Sequence, residues 1–86
     1  MLVKKTVVIR NEHGLHVRPA ALFVKIATRF DSSVKVAADH TEVDGKSIVE
    51  LLTLAVGPGA TVEIIAEGED AERAVNELEE FLVRKP

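Results

Sequence analysis

Residues 14–21 bring together an imidazole, a guanidinium and a proline at the point where a helix is about to begin. Proline is tolerated in the first turn of a helix, because its missing N–H would have no intrahelical acceptor there. Since an alanine-rich apolar run follows Pro19, the pattern predicts a helix that begins just after His16. His16 then lies at the N-cap, beside unpaired backbone N–H groups and the positive end of the helix dipole.

This position suits phosphoryl chemistry. The positive end of the dipole disfavours a second positive charge on the ring of His16, so we expect a neutral, nucleophilic imidazole. The same end favours an anion attached to the ring, and Arg18 adds a fork of donors suited to phosphate. We therefore interpret His16 and Arg18 as candidate catalytic residues. From the residues alone, a capping or solvated surface histidine remains the alternative.

A second candidate is Ser47, which forms a Ser-x-x-Glu pattern with Glu50 before an apolar run. This pattern is typical of a capping box, in which the serine accepts a backbone hydrogen bond that contributes about 1 kcal/mol. An N-cap serine beside Lys46 is also a site where phosphate is tolerated electrostatically. Ser47 is therefore either a cap or a regulatory phosphorylation site, and both interpretations stay open.

Metal binding and hydrolysis are weaker interpretations. His13 and His16 are three residues apart, but Gly14 and the strand-to-helix turn deny them a shared helical face. With no cysteine and no placed carboxylate, we predict no metal site and no cofactor. Ser32 and Ser33 lack the glycine-flanked elbow of a serine hydrolase.

The composition indicates an ordered domain that works through its surface. Hydrophobic residues at 47% and charged residues at 29% are typical of a folded protein. We expect residues 1–86 to form one domain, too small to enclose a pocket of roughly 300–1,000 Å³. Its chemistry is therefore expected at a surface, with another protein completing the site.

The net charge and the cysteine content indicate which classes of partner and which cellular compartment to expect. A net charge of −3 and only three aromatic residues disfavour a nucleic-acid surface. The absence of cysteine and of a charged-then-apolar leader predicts a cytoplasmic location. No apolar run approaches the length of a membrane span, so no membrane insertion is expected.

The elements that must position these residues are predicted in the order β-α-β-β-α-β-α. Every strand alternates between apolar and polar residues, which favours an antiparallel sheet with one buried face. Helices packed on that face would give a two-layer α+β domain. The strands are predicted at 6–10, 34–36, 41–43 and 61–67, and the helices from just after His16 to about Arg29, from Ser47 to about Val56, and from an Asp70 cap onward.

Helical spacing predicts which faces of the helices are buried. The second helix is apolar nearly all round, whereas a one-sided layer can bury only one stripe of it. The first helix has one apolar stripe, formed by Val17, Ala20, Val24 and Ala27. The apolar positions of the third helix follow the 3.6-residue period and are Ala71, Ala74, Val75, Leu78, Phe81 and Leu82. In the second helix, Leu51, Leu54 and Ala55 are assigned to the core, and Ile48 and Leu52, next to Val49, to the surface.

Over essentially all 86 residues, the chain resembles the HPr family, the histidine-containing phosphocarriers of the bacterial phosphoenolpyruvate-dependent sugar phosphotransferase system. Residues 14–20 look like its phosphohistidine signature, and Lys46-Ser47-Ile48 looks like the segment around its regulatory serine. Residues 67–70 resemble the turn into its last helix. The implied fold is a single open-faced β-sandwich domain, with an antiparallel sheet in the order 1-4-2-3 under three helices.

The resemblance implies a covalent phosphocarrier, not an enzyme complete in itself. His16 would receive a phosphoryl group on Nδ1 from enzyme I, itself charged by phosphoenolpyruvate, and pass it to the IIA domain of a sugar permease. Arg18 would steady the phosphoryl group. Ser47 would be the target of an ATP-dependent serine kinase/phosphorylase. We expect the protein to be a cytoplasmic monomer.

The resemblance also places the surface row of the second helix beside His16. An exposed apolar cluster rimmed by Arg18 and lysines would then form a docking surface for acidic partners. The expected docking residues are Val17, Ala21, Leu22, Lys25, Lys46, Ile48, Val49 and Leu52.

Three alternatives remain. The chain resembles the nitrogen-branch phosphocarrier NPr in its histidine motif, and it could also be a regulatory interaction module that acts through Ser47. A small metal or ligand binder that uses the histidines is the third. A Crh-like regulator is disfavoured, because that group lacks the histidine found here as His16. Position 13 carries a histidine where relatives often have a smaller polar or an apolar residue.

Overall fold

Seven elements follow one another in the order β-α-β-β-α-β-α in this computed structural model, which describes residues 1–12 and 14–84. The predicted order of elements is therefore confirmed. Among the described residues, no helix is both long and apolar enough to cross a membrane. The elements are β1 (Leu2–Val8), α1 (Val17–Ala27), β2 (Ser33–Ala38), β3 (Thr41–Asp44), α2 (Ile48–Thr53), β4 (Thr61–Glu67) and α3 (Ala71–Val83).

The strands form one sheet in the order β1-β4-β2-β3, and every neighbouring pair is antiparallel. In the register of the central strands, Val36 lies opposite Ile64, and Val62 in turn lies opposite Val7 of β1. These side chains are buried and alternate with exposed or half-buried ones, because successive residues of a strand point to opposite faces. The predicted open-faced α+β sandwich is confirmed.

The third helix packs as the sequence predicts, whereas the first differs. The predicted positions of α3 are buried except Phe81, which is half-buried at the margin of the core. In α1 the buried residues are Ala20, Phe23 and Ala27. Of the predicted apolar stripe, Val24 is half-buried and Val17, which is also an expected docking residue, is exposed.

The first strand begins and ends earlier than predicted. Its antiparallel pairing runs from Leu2 opposite Glu67 to Val8 opposite Thr61, so the length of β4 sets its ends. Ile9 has already left the strand, although its N–H still donates to the carbonyl of Ala60 at 2.9 Å. The polar residues near the start of the strand obscured it, and such residues are tolerated at the edge of a sheet.

The helix α2 ends at Thr53, before the predicted end near Val56. Ala55 has a φ of +50°, a left-handed conformation that a right-handed helix does not contain. Of the predicted core row, only Leu51 is fully buried; Leu54 is half-buried and Ala55 is exposed. The prediction was wrong for Ala55, because the helix stops before its second full turn.

Asp70 lies at the N-cap of α3, but its side chain makes no capping hydrogen bond. Its carboxylate instead accepts the backbone N–H groups of Asp31 and Ser32, each at 2.9 Å, and the hydroxyl of Ser32. These bonds, above all the one from the Ser32 hydroxyl, hold the pKa of Asp70 below its ordinary value. The predicted cap is therefore corrected to a tie between α3 and the turn that precedes β2.

Candidate functional site

The loop that leads to α1 packs against the chain that follows α2. Gly14 has a φ of +61°, and a Cβ there would lie 2.5 Å from the carbonyl oxygen of Val56 and 2.6 Å from the Cα of Gly57. The next residue, Leu15, is buried and donates its N–H to the same carbonyl at 3.1 Å. Only glycine allows both the backbone conformation and this close approach. The two segments are far apart in sequence, so local patterns did not predict the contact.

His16 occupies the predicted N-cap of α1 in an extended conformation. Its carbonyl accepts the N–H of Ala20 at 2.8 Å, which closes the first turn of the helix. Its side chain is exposed and makes no capping hydrogen bond, and the first turn of α1 contains no acidic residue. The imidazole is therefore accessible at the positive end of the helix, with no neighbouring carboxylate in that turn to oppose an anion.

A depression of about 580 Å³, open to solvent, joins His16 to residues from another helix. One wall is the first turns of α1, with His16 and Arg18, and the other is the C-terminal end of α3. Because the depression is open, an anion in it stays in contact with water unless another molecule covers it. Its lining residues are Asn11, Glu12, His16, Val17, Arg18, Pro19, Leu22, Phe81 and Arg84.

The contribution of Asn11, Phe81 and Arg84 to this site was missed from sequence. Phe81 and Arg84 come from the last turn of the chain's final helix and the residue after it. Asn11 carries side-chain amide atoms that are buried and lack a hydrogen-bond partner among residues 1–12 and 14–84. The period of α3 places Phe81 with its apolar positions, and no local pattern indicates that its side chain lines a depression at the margin of the core. His13, the other member of the His-x-x-His pair, lies outside the described residues.

An exposed apolar cluster adjoins the depression. Its members are Val17 and Leu22 of α1, 66% and 45% exposed, and Ile48 and Val49 of α2, 38% and 75% exposed. Val17 and Leu22 line the depression, and the helices α1 and α2 contact each other. Exposed apolar side chains on neighbouring helices are typical of a site of protein association.

The remaining docking candidates differ in how accessible their side chains are. Lys25 is exposed on α1, while Ala21 and Leu52 are half-buried, and Leu52 packs against the core. Lys46 differs from the expectation of a free rim cation, because its ammonium donates to the carbonyl of Phe30 at 2.8 Å. That bond ties Lys46 to the segment that follows α1.

Ser47 is the N-cap of α2, and its hydroxyl oxygen accepts the N–H of Glu50 at 3.2 Å. The predicted capping role is confirmed. In a capping box the carboxylate of Glu50 would accept the N–H of Ser47. Here it accepts the N–H of Asp44 instead, at 3.0 Å. The hydroxyl is half-buried and already bonded, whereas the imidazole of His16 caps nothing.

An open-faced sandwich with an exposed histidine and an arginine at the start of its first helix defines a class of small phosphocarrier domains. Residues 3–84 match the PTS-HPr family, described as the PTS HPr component phosphorylation site. The chain therefore belongs to the HPr family, as its sequence predicted.

Individual relatives agree with this assignment. The phosphocarrier protein HPr of Borreliella burgdorferi is 44% identical over 81 residues, covering 94% of each chain. The HPr-like protein Crh of Bacillus subtilis is 43% identical over 81 residues, covering 94% of this chain and 95% of Crh. The crystal structure of a phosphocarrier protein HPr from Bacillus anthracis matches with a TM-score of 0.92 and 40% identity, over 94% of this chain and 96% of that one.

Proposed function

We propose that this protein carries a phosphoryl group on His16, accepting it from enzyme I and passing it to the IIA domain of a sugar permease. The observation that carries the proposal is the state of His16. Its side chain is exposed at a helix N-terminus, makes no capping bond, and shares a depression with Arg18. The family match is consistent with this role for the chain.

The transfer exchanges one bond to phosphorus for another. The imidazole Nδ1 of His16 attacks phosphorus, a P–N bond forms, and the bond between phosphorus and enzyme I breaks. The proton displaced from the ring passes to solvent. The N–H groups of Val17 and Arg18 have no intrahelical acceptor, so they and the helix dipole favour the arriving negative charge. The guanidinium of Arg18 adds two parallel donors for the phosphoryl oxygens.

Delivery to the IIA domain is a second transfer of the same kind, in which a nucleophile of that domain attacks phosphorus, the P–N bond breaks and the imidazole of His16 leaves. The docked partner covers the open depression and excludes water. The protein is on this proposal a relay component and not a catalyst by itself. It needs no cofactor.

Partners dock on the apolar cluster next to His16. Ile48 and Val49 present the most direct apolar contacts from α2, and Val17 and Leu22 present those from α1. Arg18 and Lys25 supply positive charge that steers acidic partners. The complete docking surface that we propose is Val17, Ala21, Leu22, Lys25, Lys46, Ile48, Val49 and Leu52.

Regulation is proposed at Ser47, through an ATP-dependent serine kinase/phosphorylase. A phosphate there would add negative charge beside Ile48 and Val49 and oppose the docking of acidic partners. The match to Crh at 43% identity keeps a regulatory module acting through Ser47 as the second candidate. The exposed His16 favours the carrier, in the sugar branch or in the related nitrogen branch.

We further infer that residues 1–86 form one HPr-like domain that acts as a cytoplasmic monomer with protein partners and no nucleic acid. The family match over residues 3–84 supports the single domain. A structure of Bacillus subtilis Crh is described as a swapped dimer, which makes the exchanged dimer the alternative state. Sedimentation of the purified protein at several concentrations distinguishes the two.

The decisive experiment is incubation with phosphoenolpyruvate and enzyme I, followed by intact-mass measurement. We expect one added phosphoryl group that is labile in acid and stable in alkali, and none in His16→Ala. His40→Asn is the matched control, because His40 is exposed on the β2–β3 turn, outside the depression, and asparagine tolerates its positive φ. Phosphate that survives His16→Ala, or an acid-stable adduct, would contradict the assignment.

A further inference from the structure

The C-terminal end of α3 is fixed beside the loop that leads to His16. The backbone N–H of Arg10, which begins this loop, donates to the carbonyl of Leu82 in α3 at 2.9 Å. Phe81 and Arg84 are three residues apart, a spacing that places side chains on the same side of a helix. Both line the depression that contains His16. The arrangement is thus held by a backbone bond and not by mobile side chains alone.

The depression is locally positive although the chain has a net charge of −3. Among the described residues that line it, Arg18 and Arg84 supply two guanidinium groups and Glu12 supplies one carboxylate. The two arginines come from different parts of the lining, one from the first turn of α1 and one from the residue directly after α3. An anion on His16 would lie in a depression that both walls supply with positive charge.

Arg84 forms an ion pair that is weak enough to be exchanged for another anion. Its guanidinium contacts the carboxylate of Glu80 at 3.1 Å, and both side chains are exposed to solvent. An exposed ion pair of this kind is weak, because water competes for both charges. A dianionic phosphoryl group offers more charge and a second acceptor for the same fork of donors. The apolar side chain of Phe81 lines the same wall.

We propose that Arg84 is a second phosphoryl-binding residue, whose guanidinium exchanges Glu80 for the phosphoryl group on His16. This inference rests on the phosphocarrier function proposed above and adds a contact from α3 to it. In the unphosphorylated protein, Glu80 holds the guanidinium nearby. On phosphorylation, Arg18 and Arg84 bind the group from two sides.

The test compares two ion pairs, each of which involves a glutamate of α3. Arg84→Ala and Glu80→Gln each break the pair at the depression, whereas Arg29→Ala and Glu77→Gln break the exposed pair at 3.7 Å outside it. Transfer from phosphorylated enzyme I is measured at low salt for these four variants and for Arg84→Lys. We expect Arg84→Ala to slow transfer about threefold to tenfold, with Arg84→Lys intermediate.

The sign of the Glu80 effect separates phosphoryl binding from a structural role. If Arg84 acts on the phosphoryl group, Glu80→Gln frees it and speeds transfer, by about twofold. If the pair only stabilises the end of α3, both variants change transfer in the same direction. The Arg29→Ala and Glu77→Gln controls are expected to match the wild type.

A second measurement uses the phosphorylated protein without its partners. Phosphorus NMR follows the titration of the phosphoryl group on His16, and loss of a neighbouring cation shifts that titration to higher pH. We expect the shift in Arg84→Ala and not in Arg29→Ala. If Arg84→Ala and Arg29→Ala are phosphorylated normally and show the same phosphoryl titration, the proposed role of Arg84 is wrong. Slower transfer in Glu80→Gln would also disprove that role, and neither result would affect the proposed phosphocarrier function. A wild-type protein that takes up no phosphate at His16 overturns the proposed function and this inference with it.

Discussion

The N-terminus of α1 and the N-terminus of α2 both begin with a polar N-cap side chain, yet they differ in what that side chain already does. Ser47 is half-buried, and its hydroxyl accepts a hydrogen bond from the first turn of its own helix. His16 is exposed, and its ring makes no such bond. The first turn of α2 contains Glu50, whereas that of α1 contains no acidic residue.

At the start of α2 the polar side-chain atoms already form hydrogen bonds, whereas at the start of α1 they remain available to a ligand. At α2, the Ser47 oxygen serves the helix and the Glu50 carboxylate opposes an additional anion. At α1, the imidazole, the free N–H groups and Arg18 all remain available to an anion. Reversible transfer is therefore expected at His16, while a group added at Ser47 would act through charge on the neighbouring surface.

The largest effect is expected from Arg18→Ala. We expect transfer to slow by roughly 10²–10³, the size of effect seen when one preorganised electrostatic donor is removed. The fold should be unchanged, because Arg18 is exposed and packs no core. Stopped-flow transfer in both directions and a thermal melt are the measurements, with exposed Arg10→Ala as the control outside the depression. Unchanged rates would leave His16 without its proposed electrostatic partner.

The docking surface is tested by placing the same charge on exposed and buried positions. Ile48→Glu should weaken binding to both enzyme I and the IIA domain by about tenfold, as for an interface residue worth more than about 1 kcal/mol. Leu2→Glu, on an exposed leucine of the edge strand β1, should not. Leu51→Glu should unfold the domain, because its side chain is fully buried. Calorimetry and circular dichroism distinguish these results, and unfolding by Ile48→Glu would disprove the assignment of the two rows.

At Ser47, the capping and regulatory roles can be separated by two substitutions. Ser47→Ala should lower the free energy of unfolding by about 1 kcal/mol, whereas Ser47→Asp should leave it nearly unchanged, since aspartate also caps well. Ser47→Asp should still slow transfer from enzyme I, because it adds charge beside the docking surface. Denaturant melts and transfer kinetics on the two variants check this. If Ser47→Asp transfers at the wild-type rate, Ser47 is a cap and nothing more.

The smallest effect at neutral pH is expected from Asp70, at the N-terminus of α3. The bond from the Ser32 hydroxyl and the N–H of Asp31 lower the pKa of Asp70 in the folded protein. Stability from this group is therefore present above its ordinary pKa of 3.8 and is lost as pH falls through the lowered value. Urea melts between neutral and acid pH should show an acid loss that is reduced in Asp70→Asn. An identical pH profile in that variant would contradict the tie between α3 and the β2 turn.

Much of the fold follows from local patterns in the sequence. The order of elements, the apolar stripe of α3 and the turn at Asp39 and His40 are all set by residues within a few positions of one another. The positive φ angles of Asp39 and His40 fit the two-residue hairpin that joins β2 to β3. The N-cap position of His16 was predicted in the same way, from a proline and an apolar run just after it.

Contacts between distant segments were decided only by the tertiary structure. The end of α2 at Thr53 and the hydrogen bond from Lys46 to the carbonyl of Phe30 depend on how the layers pack together. The same holds for the approach of Arg84 to the depression at His16. The sequence by itself determined which residues could do the chemistry and on which elements they lie, because capping and periodicity are interactions within one or two turns. Packing determined which of those residues are free to act, because that depends on the neighbours that the folded chain places beside each one.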